Sequence, residues 1–393
     1  MPARYARTRL RATLVLGTAT AVAASGTLLS AGLLSASAGP VTLAASSTAA
    51  GTITGPANAN TKTVSGLRLK QGAPAAVMSH ATVAAPGPAV TPLKTFTKSF
   101  VYNGHTYPYT MVGTDPKGAA VTTTIPVSLI PVKVVIGGFF FTPTGAITAT
   151  TASKLFTNTT WTAGPTSLGN SQYGDATFRA SFWNWVKNKN WHVKLGTPTV
   201  KPTVTFNVPA SQGGVYQTAD GSKVALIQIN WWDTQVQAVT SSYGVSQFPN
   251  LLAYQVVLCS GAIPSTCGIG GYHSAIPVGG TFRSYSYASW VTASVYGTNG
   301  SDLAAMSHEI SEWYNDPFVN NKAPKWTSPL SPQYGCTDAL ETGDPLVGKV
   351  VKNGGLNYQD EALLSFFTRQ TPSIGVNGWY SVFGTFKTYS KAC

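Results

Sequence analysis

The sequence predicts an α+β fold: a twisted mixed β-sheet carrying one functional helix, with a β-rich and loop-rich periphery. Three observations point there. Runs of β-branched and aromatic residues bounded by Gly, Pro and Asn recur along the chain. Two segments, Asp175–Lys189 and Ser301–Asn315, instead place apolar residues at helical spacing. Only 10% of the 393 residues are charged while Gly, Ser and Thr are abundant, which suits a rigid extracellular protein better than a cytosolic one.

Taken in order, Arg4, Arg7, Arg9 and Arg11 precede an acid-free apolar stretch from Ala12 to Leu34, and Ala36-Ser37-Ala38 offers a small-residue cleavage site. Residues 1–38 therefore read as a signal peptide, with an uncleaved anchor as the alternative; after cleavage no stable membrane insertion is expected. Residues 39–95 contain no acid and few bulky apolar groups. They read as a disordered linker or propeptide, because so little burial cannot offset the entropy of ordering. His80 lies there as a solvated linker residue. Residues 96–393 are long enough for a single α+β domain.

Within that domain Asn103-Gly104 marks a hairpin, with His105 just past the turn. Val121–Ile136 reads as strand broken at Pro126 and Pro131. Asp175 is the expected N-cap of a helix that runs to Lys189 and buries Phe178, Phe182, Trp185 and Val186. His192, between apolar neighbours, reads as a satisfied core or edge histidine, and Thr203–Val208 as an extended stretch. Strands are expected at Lys223–Trp232, Leu251–Cys259 and Tyr285–Val295. A helix over 301–315 follows, with Ser301 as N-cap and Asp302 in the first turn. Pro317 ends it by pushing Asp316 out of helical geometry.

The net charge of +13 comes from lysines scattered singly and from the leader arginines. No basic run occurs outside the signal, so nucleic acid is not expected as a partner. A polypeptide or a cell-wall polymer is. The oligomeric state is not legible. Four cysteines in an exported chain read as two disulfides. Cys259–Cys267 would close a short loop and Cys336–Cys393 would tie back the C-terminus, with the other two pairings left open.

Nine of the thirteen acids fall between Asp302 and Glu361, including all four glutamates. Two of these form His308-Glu309-x-x-Glu312, one residue away from the zinc-protease signature His-Glu-x-x-His. On a helix, Leu303, Met306, Ile310 and Trp313 share the core-facing stripe. His308 and Glu312, one turn apart, share another face, so an imidazole nitrogen and a carboxylate oxygen can meet one cation. Glu309, between the faces, is placed to take a proton from water as general base. A third metal ligand is sought in Glu341 or Asp344, which lie in one acidic loop. Asp316, at i+8 on the same side of the helix, is within reach as another ligand but reads first as a cap of its own turn, and His273, in a glycine-rich setting, as a further ligand or a transition-state donor. The cofactor expected is a divalent metal, zinc first, with manganese or calcium as alternatives. The sequence thus supports a secreted metal-dependent hydrolase, most readily a peptidase. The alternative is a non-catalytic extracellular or cell-wall-associated protein in which the cluster is a structural cation site or a hydrogen-bond network. A third reading, carbohydrate binding, would use Trp161, Trp183, Trp231 and Trp232.

Gly271-Tyr272-His273-Ser274, then Ser307-His308-Glu309-x-x-Glu312-x-x-x-Asp316-Pro317, then Glu341-x-Gly343-Asp344 resembles a pattern of secreted bacterial proteins. These are in turn similar to the plant phosphate-induced, Exordium-like extracellular proteins. The likeness covers residues 220–393. Plant members tend to carry Asn where this chain has Asp316, and the family's Cys directly after the acidic pair is replaced by Pro345. The order of elements also resembles zincin metallopeptidases, where a twisted mixed sheet and an early helix precede the active-site helix and an edge strand aligns substrate. Glu341 matches the downstream glutamate of thermolysin-like enzymes in position. That likeness implies a zincin-like core around the motif helix.

Overall fold

The computed structural model describes residues 50–56, 61–63, 69 and 91–393. The expected signal peptide and His80 lie outside the described residues. No helix among the described residues is long and apolar enough to cross a membrane. Strands predominate, arranged in several sheets with helices between, so the α+β class holds in its coarse form.

The main sheet orders its strands Thr52–Thr54, Phe139–Thr142, Val127–Ile136, Phe248–Tyr254, Thr281–Trp290 and Gly271–Val278. Its middle is parallel, Phe248–Tyr254 lying between Val127–Ile136 and Thr281–Trp290, and hairpins add antiparallel strands on both sides. Parallel strands covered on both faces must be apolar on both faces, and these are. Leu129 and Leu252 pack towards the early and motif helices, while Ile130, Val132, Leu251 and Ala253 pack on the opposite side. That opposite side is covered by a helix, Ile229–Thr240, and a second sheet built on Lys223–Gln228.

Several sequence expectations change here. The run Lys223–Trp232 is strand only to Gln228; Ile229, Trp232, Val236 and Thr240 then recur at helical spacing and are the buried face of a helix. Val121–Ile136 breaks at Pro126 but not at Pro131. The early helix spans Tyr173–Ser181, and a kink at Phe182 separates it from a short turn, Trp183–Val186. Asp175 is not its N-cap but lies in its first turn. Part of the stretch read as a linker is ordered too: Thr52–Thr54 pairs antiparallel with Phe140–Thr142, using backbone groups that need no apolar side chains. Trp161 and Trp232 are core residues, and Trp183 and Trp231 are half-buried against the core. The disulfides are Cys259–Cys267 and Cys336–Cys393.

One carboxylate outside the acid-rich region shows what a purely structural pair looks like. Asp175 is fully buried and accepts bonds from Ser171 Oγ, from the Val193 amide at 2.8 Å and from His192 Nδ1 at 2.7 Å. Both oxygens are satisfied, and the strand His192–Leu195 is locked to the helix. Asp175→Ala is expected to cost about 3 kcal/mol, since three donors lose their acceptor. A urea melt that is the same with and without chelator would show that this pair has no link to metal.

Candidate metal centre

Strand alternation sets the first candidate ligand. In Gly271–Val278, Tyr272 turns to the side of the second sheet, where its phenol donates to Asp233 at 2.8 Å, so His273 must turn to the motif helix. The motif helix spans Ala304–Asn315, and all of it is buried. It starts three residues later than expected because Asp302 adopts a left-handed backbone (φ 50°), which no helix interior allows. The Asp302 carboxylate instead accepts the amides of Leu303 and Asn357 at 2.5 and 2.7 Å. The C-terminal end falls at Asn315, as Pro317 dictates. The core stripe is as expected: Trp313 stacks on Phe248 with ring centroids 3.7 Å apart, and its indole donates to Ser284 at 2.8 Å.

The opposite face does not meet water. It is covered by the acidic loop and by the strand Leu356–Gln359. Ser307 explains the second contact: its hydroxyl accepts the Gln359 amide at 3.0 Å and docks that strand on the helix. Glu312 explains the first, because its Oε1 accepts the amides of Gly343 and Asp344 at 3.0 and 3.2 Å. The loop is thereby pinned so that Asp344 Oδ1 lies 3.5 Å from His308 Nε2 and Glu341 Oε2 lies 3.6 Å from His273 Nε2.

All six residues singled out in the sequence thus converge. Glu312 Oε2 is the hub, 3.0 Å from His308 Nε2 and 3.6 Å from His273 Nδ1, and Glu309 Oε2 lies 3.4 Å from the same His273 nitrogen. Two sets have the composition and spacing to hold a cation: His308, Glu312 and Asp344, and His273, Glu309 and Glu312, each with ligand atoms within 4.8 Å of one another. Asp316 is not among them. Its carboxylate accepts the amides of Asn320 and Asn321, as a turn cap does, while its carbonyl accepts His273 Nε2–H at 3.0 Å.

Sequence reading missed several groups that complete the centre. Gln359 Nε2 donates at 2.8 Å both to His308 Nδ1 and to the Gly343 carbonyl. Glu361 is buried beside Tyr173, with Oε2 unpartnered. Tyr334, half-buried, presents its phenol to Asp344. Two glycines permit the close approach: a Cβ on Gly271 would lie 2.9 Å from Glu309 Cγ, and one on Gly343 would lie 2.5 Å from His308 Nδ1. The motif glycines were visible in the sequence, and Glu361 was visible as the last of the four glutamates; Gln359 and Tyr334 carried no local signal.

Electrostatics follow from burial. Desolvation pushes Glu341 and Glu361 well above the ordinary glutamate range, raises Glu309, and carries Asp316 and Asp344 to about 7. Burial acts on Glu312 in the same direction, but His308, His273 and the loop amides outweigh it and hold that carboxyl low. Burial pulls both imidazoles down, yet the surrounding carboxylates raise them on balance.

Comparison with protein-family models, curated proteins and solved structures returns no match for this chain.

Proposed function

We propose that this chain is an extracellular metalloprotein in which the motif helix, the edge strand Gly271–Val278 and the acidic loop close around a divalent cation at the Glu312 hub. One observation carries the reading. Six carboxylates (Glu309, Glu312, Asp316, Glu341, Asp344 and Glu361), none more than 7% exposed, surround two imidazoles. Among the described residues the lysine ion pairs lie elsewhere, at Asp115 and Asp338. Uncompensated buried carboxylates cost several kcal/mol each, and a cation is the simplest remedy. Imidazole nitrogen beside carboxylate oxygen suits zinc before manganese, and calcium least. The leader-like N-terminus and the two disulfides fit an oxidising, extracellular setting. The test is metal analysis of the purified protein beside Glu312→Gln. About one cation per chain in the wild type and a near-complete loss in the variant are expected; equal metal in both sinks the reading.

A second reading, the zincin-like peptidase or cell-wall hydrolase, is favoured by the sheet edge. Gly271–Val278 is the terminal strand of the main sheet, antiparallel to its neighbour and half-exposed from Ala275 to Val278. An extended polypeptide could add there. A bound zinc would supply Lewis-acid polarisation, with Glu309 as base and His273 as donor. Against it, Glu309 is 3% exposed and turned to His273 rather than to open solvent. On the catalytic reading Glu309→Gln keeps its metal and loses hydrolysis of casein or peptidoglycan. No turnover by the metal-loaded wild type on either substrate class counts against it.

A further inference from the structure

Within the cation centre proposed above, we infer that the ion is held on the His273 side, by His273 Nδ1, Glu309 and Glu312, and that His308 is a proton-bearing positioning residue rather than a ligand. This reverses the assignment that the His-Glu-x-x-Glu pattern invites. The inference rests on the cation reading, and its test can fail without that reading failing.

Hydrogen bonding separates the two histidines. A metal-binding imidazole needs a free lone pair on one nitrogen, and its other nitrogen ordinarily donates to a carbonyl or carboxylate. His273 meets this condition. Its Nε2–H donates to the Asp316 carbonyl at 3.0 Å, which leaves the lone pair on Nδ1, between Glu309 and Glu312. His308 does not. The Gly343 carbonyl can only accept, so the Gln359 side chain must turn its NH2 there, and the same NH2 meets His308 Nδ1. Once a cation takes up the carboxylate charge that favours a doubly protonated ring, the His308 lone pair lies on Nδ1, and Nε2 carries the proton that faces Glu312 at 3.0 Å. To ligate through Nε2, His308 would have to move that proton to Nδ1. It would then face an N–H that Gly343 holds in place.

Distances agree with this division. Ligand atoms about 2.0–2.1 Å from a tetrahedral zinc lie roughly 3.3–3.5 Å from one another. His273 Nδ1 is 3.4 Å from Glu309 Oε2 and 3.6 Å from Glu312 Oε2. These separations match the edges of a coordination shell, the shorter one also being within hydrogen-bond reach. His308 Nε2 is 3.0 Å from Glu312 Oε2, shorter than such an edge, and 3.5 Å from Asp344 Oδ1.

A spare carboxylate oxygen lies on the other side of the same ring, by its Nε2. Glu341, 7% exposed, has a buried Oε2 with no hydrogen-bond partner, 3.6 Å from His273. It is an unpartnered carboxyl oxygen beside the His273 ring. Gly271 completes the arrangement, since its missing side chain lets Glu309 lie flat against the strand that carries His273.

The test uses the full chain loaded with zinc, its content and affinity read by metal analysis and by competition with a chromophoric chelator. Thermal melts of each variant check folding. His273→Ala and Glu309→Gln are expected to lose the ion, with affinity falling by more than about a thousandfold. His308→Ala is expected to keep one zinc per chain, weakened by roughly 10–100-fold as for an outer partner of a ligand. X-ray absorption of the wild type should show one imidazole on the ion. If His273→Ala does not fold, the near-isosteric Glu309→Gln carries the test. Loss of zinc in His308→Ala with retention in His273→Ala or Glu309→Gln overturns the assignment but leaves a cation at the hub. A wild type that takes up no zinc overturns both.

Discussion

Chelator-treated protein is expected to lose thermal stability as the pH rises from about 5 to about 8, and zinc to restore most of it at the upper end. Asp316 and Asp344 ionise near 3.8 in an unfolded chain and near 7 in the folded one. A carboxyl raised on folding binds more protons in the native state. Its contribution to stability is complete below the unfolded value and is lost as pH climbs through the folded one. Glu309, Glu341 and Glu361 are raised too and add to the trend; the two imidazoles, raised on balance, act in the same sense. Glu312, held low, is already ionised in both states across this window and does not alter the trend. The sum is worth on the order of a few kcal/mol across the window. Zinc reverses the sign of the problem, because it needs those carboxylates ionised and competes better as protons leave. At a hundredfold excess over its dissociation constant it stabilises by about 2.7 kcal/mol. That is roughly 4 °C for a domain of this size. Differential scanning fluorimetry at several pH values, with chelator and with zinc, reads both effects. A melting temperature that stays flat or rises across the window in chelator would show that the buried carboxylates are neutralised by something other than a cation.

What could be read from the sequence, and what could not, divides along local and non-local lines. The motif helix, its core stripe and its stop at Pro317 follow from spacing within a dozen residues, and the structure keeps them. The convergence of His273, the helix and the acidic loop was legible because each carried an uncommon residue in a chain poor in acids. Its closure was not. Polar residues opposite a core stripe ordinarily face water, and only Ser307 bonding Gln359 and Glu312 bonding the amides of Gly343 and Asp344 turn that face inward. Those partners lie 31 to 52 residues away along the chain, with no periodicity to announce them. The same limit hid Gln359, the residue that fixes which nitrogen of His308 holds its proton. The helix at Ile229–Thr240 was missed for a different reason: Trp and Ile continue the β-rich run before it, and the change of period falls inside the apolar stretch.

Gly343→Ala is expected to destabilise the protein by about 3–5 kcal/mol, far beyond a surface Gly→Ala exchange. The backbone is not the cause, since Gly343 sits at φ −81° and ψ −34°, where alanine is at ease. The cause is contact: a Cβ would lie 2.5 Å from His308 Nδ1 and 2.7 Å from both Cγ and Cε1, so the whole ring must move. A displaced ring gives up the 2.8 Å bond from Gln359 and the 3.0 Å bond to Glu312 together. Glu312 is then a buried carboxylate short of one of its partners, the costly condition for an ion in a protein interior. Gly355 is the control. It has φ 82° and nothing within 4 Å of the place a methyl would take, so Gly355→Ala brings backbone strain of about 1 kcal/mol and no clash. Urea denaturation of the two variants separates contact from strain. His308→Ala in the Gly343→Ala background should recover part of the loss, because the methyl then enters space the ring has vacated. If Gly343→Ala unfolds at the same urea concentration as Gly355→Ala, the His308 ring is free to give way, and Gly343 is not what holds it against Glu312.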